Sequence, residues 1–245
     1  MKTTKNTVLI TGGGSGIGFE MAKLFSKNHN KVIITGRNEE RLKQAVSELN
    51  NTSYLVADIT NESDTNVLVE KIKEEYPDLN LLVNNAGRAI VHNFTTENDN
   101  AFDKASEEIA TNYLSVIRLT EKLLPVLKNK PESAIVNVSS VVSYIPSYTL
   151  PTYSASKAAL HSYTLSLRNH LKDTTIKVFE IMPPLVDTAF SKEIGGEKGI
   201  PPEVVANDLL YGLYDNKFEI HVGDTINLYQ LFLSSPNDAL DVLNS

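Results

Sequence analysis

Residues 7 to 18 read T-V-L-I-T-G-G-G-S-G-I-G, a short β-branched apolar run that breaks into glycines and then into the helix-period stretch F-E-M-A-K-L-F. Glycine clusters on their own say only that a loop needs unusual backbone angles. A glycine turn between a strand and a helix says more. It allows a tight turn, a close backbone approach to a pyrophosphate and a helix N-terminus aimed at phosphates. Gly12, Gly16 and Gly18, with Ser15 and Ile17 between them, are therefore candidate dinucleotide-binding residues.

The pattern around this turn repeats along the chain. Near-continuous Val/Ile-rich runs at 7–11, 31–35, 53–57, 81–84, 134–139, 176–181 and 218–222 alternate with amphipathic stretches near 17–28, 39–49, 62–76, 100–128, 152–171 and 202–214. Runs without polar alternation are strands buried on both faces, and strand–helix alternation builds parallel sheets with right-handed crossovers. The expected fold is α/β: a single-domain Rossmann-type, doubly wound parallel sheet of about seven strands with helices on both faces, over residues 1–245. Internal repeats, low-complexity segments and linkers are not evident.

Composition removes several function classes. The 245 residues are 41% hydrophobic and 22% charged, enough to bury a full core, and carry a net charge of -7. Acids and bases are interleaved, so nucleic-acid binding is not expected. Cysteine is absent and the five histidines lack ligand-like spacing, so no metal site is expected. The first residues do not read as a secretory signal, and no apolar run reaches the roughly 18 residues of a membrane span. I-N-L-Y-Q-L-F-L at 226–233 reads as a short helix over the core or a subunit interface, without the basic face of a membrane-surface helix. The expectation is a cytoplasmic protein.

Further motifs follow in order: N-N-A-G at 84–87, T-N-Y at 111–113, V-S-S at 138–140 and Y-S-A-S-K at 153–157. With the T-G-x-x-x-G-x-G turn, they make the chain, from about residue 5 to about residue 223, resemble the short-chain dehydrogenase/reductase family. The resemblance implies a catalytic set of Asn112, Ser140, Tyr153 and Lys157 and a nicotinamide dinucleotide cofactor. It also implies cofactor contacts from Asn85, Ala86, Gly87, Tyr153 and Thr188, from Asp58 to adenine, and from Lys157 to the nicotinamide ribose. Family members are commonly homodimers or homotetramers, the dimer formed through the helices at 100–128 and 152–171. M-P-P-L-V-D-T at 182–188 departs from the family by having Pro184 where glycine is usual, which removes one backbone donor. This stretch and H-V-G-D-T-I-N-L-Y at 221–229 resemble bacterial oxidoreductases encoded near lipoteichoic-acid D-alanylation genes.

The residues themselves agree with that chemistry. Tyr153 and Lys157 lie one helical turn apart, so an ammonium can sit beside a phenol. A phenol has a pKa near 10, and lowering it by about three units needs roughly 4 kcal/mol of preference for phenolate. Ser140 is expected to share the substrate oxygen with Tyr153. It has no nucleophile elbow and no histidine partner, which disfavours an α/β hydrolase. Two readings stand: an oxidoreductase acting on a carbonyl or alcohol, or a catalytically silent dinucleotide sensor or scaffold, against which the complete Asn/Ser/Tyr/Lys set argues.

The glycine-rich segment 189–202 is expected to be a mobile flap over the substrate or a plain loop, with Val142, Ile145, Tyr148 and Leu150 lining the cleft opposite or belonging to the core or to an interface. At the end of the second strand Gly36 stands where a ribose-binding carboxylate is usual, and Arg37 follows. Arg37 meets a 2′-phosphate, which favours NADP(H), or is a solvated residue paired with Glu39 or Glu40. The T-G-x-x-x-G-x-G turn itself contributes no second basic residue.

Overall fold

The computed structural model describes residues 1–96 and 99–245. Seven strands form one sheet: β1 (Thr7–Thr11), β2 (Lys31–Gly36), β3 (Thr52–Val56), β4 (Leu79–Asn84), β5 (Ser133–Val138), β6 (Ile176–Met182) and β7 (Glu219–His221). They pair in parallel in the order β3-β2-β1-β4-β5-β6-β7. The helices are α1 (Gly16–Lys27), α2 (Glu39–Ser47), α3 (Glu62–Glu75), α4 (Ala101–Ile109), α5 (Ser115–Lys128), α6 (Pro151–Leu171), α7 (Pro202–Asp215), α8 (Thr225–Ser234) and α9 (Pro236–Asn244). The expected doubly wound sheet is what the chain forms, and the strand runs lie within two residues of their expected ends. Among the described residues no helix is long and apolar enough to cross a membrane.

Strand alternation divides the core between two layers. Val8, Ile10, Val32 and Ile34 face one cluster, shared with α1, α2 and α7, while Leu9 and Ile33 face the other, shared with α3, α5 and α6. Both faces being covered explains why the strand sequences carry no polar alternation. The strand order reverses between β1 and β4, so a crevice opens at their carboxyl ends, where ligands of open α/β sheets bind.

Two elements depart from the sequence reading. The expected helix at 100–128 is interrupted by one π-helical turn, Ala110–Leu114, between α4 and α5. Asn112 lies in that turn and is fully buried, its amide spent on other segments. A π turn adds a residue to the helix and re-aims one side chain inward, which periodicity alone cannot show. At the C-terminus, α8 covers the expected 226–233, and α9 follows it. The two turns of α9 carry only four apolar residues, too few to make a period stand out, and they gain their place by packing on α8.

Candidate active site

One cleft of about 740 Å³ runs along the carboxyl ends of the strands, from Arg37 and Asp58 at one end past the glycine turn to Ser140, Tyr153 and Lys157. Gly12, Ser15, Gly16, Ile17, Gly18, Asn85, Ala86, Gly87 and Thr188 all line it, so nearly every residue expected from the sequence meets at one place. Asn112 does not line the cleft. It stands behind the wall, bonding Arg88 from both ends of its amide: Oδ1 accepts from the Arg88 N–H at 2.8 Å and Nδ2 donates to the Arg88 carbonyl at 2.8 Å. Nδ2 also donates to Ser156 Oγ at 2.8 Å, tying the π turn to α6.

The glycine turn is shaped by close approach. A Cβ on Gly18 would lie 2.4 Å from the Gly12 carbonyl oxygen, so α1 sits against the turn as only glycine permits. Gly16 has φ +54°, and a Cβ there would press on Thr188 Cγ2 at 3.2 Å, which places the Thr188 loop directly over the turn. Ser15, the N-cap of α1, makes no side-chain cap, so the first-turn N–H groups of α1 have no capping acceptor and face the cleft. The N-N-A-G segment braces this geometry: Asn85 Nδ2 donates to the Thr11 carbonyl at 2.9 Å, and the Asn85 and Ala86 N–H groups both donate to Thr11 Oγ1 at 3.0 Å.

At the far end of the turn, Gly36 closes β2 and presents no carboxylate. Arg37 does not pair with Glu39 or Glu40, which instead hold Lys43. Its guanidinium lies 3.8 Å from Asp58 and is largely exposed. A second cation stands beside it. Arg41, in the first turn of α2, lines the same end of the cleft and packs under Gly14. The sequence reading looked for a second base in the glycine turn, but it comes from α2. Asn38 accepts from the Arg41 N–H at 2.9 Å and fixes where α2 starts, and so where Arg41 points.

At the other end, α6 places Tyr153 and Lys157 side by side. Lys157 is 3% exposed. Its Nζ donates to the Val138 carbonyl at 2.8 Å and lies 5.6 Å from the Tyr153 ring centroid. Burial pushes the Lys157 ammonium down to about 8, against the opposing charge of Glu180. Burial likewise holds the Tyr153 phenol above its ordinary value, Glu108 adds to this, and the neighbouring Ser140 hydroxyl works the other way. The lowering expected of Tyr153 beside Lys157 is thus not supplied by the protein's own groups. The low-polarity site that would sharpen an electrostatic effect also disfavours both charges. Ser140 has extended backbone, φ -171°, with none of the strain of a nucleophile elbow.

The substrate end divides the four residues expected there. Val142 and Leu150 line the cleft, whereas Ile145 is fully buried in the core and Tyr148 points to solvent. Phe190 and Ile194 of the 189–202 segment also line it, as does Leu243, which was not anticipated. Phe190 is half exposed, its ring 6.2 Å from that of Tyr153. Asn244, at the end of α9, accepts from the Tyr148 N–H at 2.7 Å and donates to the Pro146 carbonyl at 3.1 Å, so the last helix anchors the segment before Tyr153. The 189–202 segment is pinned rather than open. Ser191 Oγ donates to the Val186 carbonyl, and Val186 bridges to Ile200. The same pairing, with Ile200 N–H donating to the Leu185 carbonyl at 3.0 Å, sets the path after Pro184 without needing its missing donor.

Comparison with known proteins agrees with this architecture. Residues 6–199 match the family model described as short chain dehydrogenase. The chain is 40% identical over 225 residues to "Uncharacterized oxidoreductase DltE" of Bacillus subtilis, covering 90% of this chain and 89% of that one. It is 30% identical over 215 residues to an oxidoreductase of Staphylococcus epidermidis, covering 86% and 92%. Among solved structures, a short chain dehydrogenase from Burkholderia cenocepacia in complex with NADP superposes with TM-score 0.88 at 22% identity, covering 100% of both chains. One from Burkholderia phymatum in complex with NAD superposes with TM-score 0.87 at 18% identity, covering 100% of this chain and 97% of that one. With the glycine turn, the N-N-A-G brace and half-buried Tyr153 beside buried Lys157 in a single cleft, and with a family match over most of its length, the chain belongs to the short-chain dehydrogenase/reductase family of oxidoreductases.

Proposed function

We propose that the protein is an NADP(H)-dependent oxidoreductase that interconverts a carbonyl and an alcohol, with Tyr153 as the acid/base. The observation that carries this reading is a phenol, set beside Ser140 and Lys157, in the same cleft as the open glycine turn. The cleft fits a dinucleotide: uncapped N–H groups of α1 suit a pyrophosphate, and two arginines suit a 2′-phosphate. When bound, the nicotinamide supplies the hydride. The chain's own part is the proton and the geometry. Ser140 Oγ and the Tyr153 hydroxyl bind the substrate oxygen, and the phenol, kept protonated by burial, donates its proton as the carbonyl is reduced. Lys157, charged below about pH 8, holds the nicotinamide ribose. Asp58 receives the adenine and Asn112 fixes the π turn against Arg88. The two Burkholderia structures, solved with NAD and with NADP, support a nicotinamide dinucleotide here. A homodimer or homotetramer belongs to this reading, since Phe102, Leu114 and Leu165 expose apolar surface on α4, the π turn and α6.

Titration with NADPH and NADH, followed by a cofactor-consumption screen over carbonyls and alcohols, tests the reading. NADPH is expected to bind more tightly, and Arg37→Ala and Arg41→Ala each to weaken it by roughly tenfold while leaving NADH nearly unchanged. Tighter NADH binding, or unchanged NADPH affinity in both variants, would overturn the cofactor assignment. The Lys157 pKa adds a pH dependence. The ribose is held by the charged form, which is lost as pH rises through about 8, so NADPH affinity is expected to be flat below pH 7 and to weaken toward pH 9. Fluorescence titrations across that range would show it, and constant affinity would remove the ammonium from the site.

A further inference from the structure

Among the described residues two carboxylates are fully buried, Glu108 and Glu180. Glu108, on α4, accepts from the Ile90 N–H at 2.8 Å and stands on the Tyr153 side of the pair. Glu180 is the less expected of the two. It lies in β6, an interior strand next to the edge strand β7, paired in register with Asn137 of β5 and Glu219 of β7. An isolated carboxylate in such a place costs far more than it returns unless it is paired and hydrogen-bonded. Its partners both come from the catalytic elements. Ser139, adjacent to Ser140, donates its hydroxyl to Glu180 Oε1 at 2.5 Å. His161 Nδ1 lies 2.9 Å from Oε2 and 3.1 Å from Oε1.

His161 follows Lys157 by four residues as Lys157 follows Tyr153, so the three share one stripe of α6. The only hydrogen bond that Lys157 Nζ makes among the described residues goes to the Val138 carbonyl, one residue before Ser139. A buried ammonium with one carbonyl for a partner needs an anion nearby to stay charged. We propose that Glu180, fixed by Ser139 and His161, is a positioning residue of the reaction: the buried counter-charge of the Lys157 ammonium and the anchor of the strand end that holds it. The inference rests on the role given to Lys157 above.

Other charges face the group from every side. Glu219 of β7 lies opposite Glu180 and is bound at 2.9 Å by Arg168 of α6, so those two largely cancel. Tyr144 packs edge-on against His161, and His221 and Tyr229 stack behind it. Burial works against the His161 imidazolium, but the hydrogen bond and charge of Glu180, with Glu219 behind, hold its pKa above the ordinary value. Burial keeps His221 below its ordinary value. Above neutral pH, as His161 loses its proton, the charge of Glu180 is left to act on Lys157.

The experiment is the pH dependence of the NADPH dissociation constant, read by fluorescence from pH 6 to 10 in wild type, Glu180→Gln, Glu180→Asp, His161→Gln and Lys157→Met. Glu180→Gln keeps the shape and the acceptor for Ser139 but not the charge. Its midpoint for loss of affinity is expected to move down by on the order of one pH unit, and that of Glu180→Asp to stay near wild type. A Glu180→Gln midpoint equal to wild type, whatever its melting temperature, would overturn the inference. Should Glu180→Gln not fold, His161→Gln decides: it removes the imidazolium that competes with Lys157 for the carboxylate, so a midpoint at or above wild type is expected, and a lower one overturns the inference. If Lys157→Met binds NADPH as wild type does, the role of Lys157 fails and this inference falls with it. If that variant binds poorly and only the Glu180 midpoints coincide with wild type, the inference alone fails.

Discussion

Tyr153→Phe is expected to lower turnover by at least about a thousandfold while leaving NADPH affinity within about twofold of wild type. The substitution removes one hydroxyl and keeps the ring between Lys157 and Phe190. The lost hydroxyl is that of the phenol beside Ser140, and among the described residues Ser140 bonds no imidazole that could take over proton transfer. Its pKa is held up by burial, so it is protonated throughout the neutral range and reduction should show no loss of rate from phenol ionisation there. Single-turnover kinetics with any working carbonyl would read the loss directly. If the variant kept a tenth or more of the wild-type rate, another group must be the acid. If it lost cofactor affinity in proportion to rate, the phenol would be a binding group instead.

Lys157→Met should behave differently on three counts. Cofactor affinity is expected to fall by tenfold or more, because the charge-assisted contact proposed between Lys157 and the ribose is removed. Turnover should fall by a factor comparable to that in Tyr153→Phe. The fold, however, should not suffer. The native state lowers the Lys157 pKa to about 8, below its ordinary value, so at pH 7 burying the charge costs the folded protein on the order of 3 kcal/mol. Methionine fills similar space without that cost. The sign follows from linkage: the penalty is fully present below pH 8 and fades as pH rises toward the unfolded-state pKa near 10. The cofactor-free variant should therefore melt at or above the wild-type temperature at pH 7, with the difference shrinking by pH 9.5. Calorimetry on the cofactor-free proteins checks this. A variant clearly less stable than wild type at pH 7 would mean that the bond from Lys157 to Val138 contributes more than desolvation takes away.

The sheet and most of the site were readable because they rest on local rules. Runs such as T-V-L-I-T and K-V-I-I-T have no polar alternation because both faces of a parallel strand are covered, and a glycine turn between strand and helix has few other uses. Tyr153 and Lys157 meet because helix geometry brings residues four apart together. The order of motifs then brings the glycine turn, N-N-A-G and Ser140 to the same carboxyl edge, which follows from right-handed crossovers and needs no side-chain detail.

What lay beyond the sequence was decided by contacts between distant segments. Arg41 reaches the cleft because the first turn of α2 packs beneath Gly14, and Asn112 turns inward only because a π turn adds one residue to its helix. Asn244 holds the segment before Tyr153 from nearly a hundred residues away, and Ile145 and Tyr148 exchange the cleft for core and solvent through the turn between Ser140 and α6. Charge states are the clearest case. Sequence spacing places an ammonium beside a phenol and suggests a lowered pKa, whereas burial of both groups raises the phenol and lowers the amine. Proximity along a helix is a local property, but desolvation is set by everything that packs around the pair, and only the folded chain supplies it.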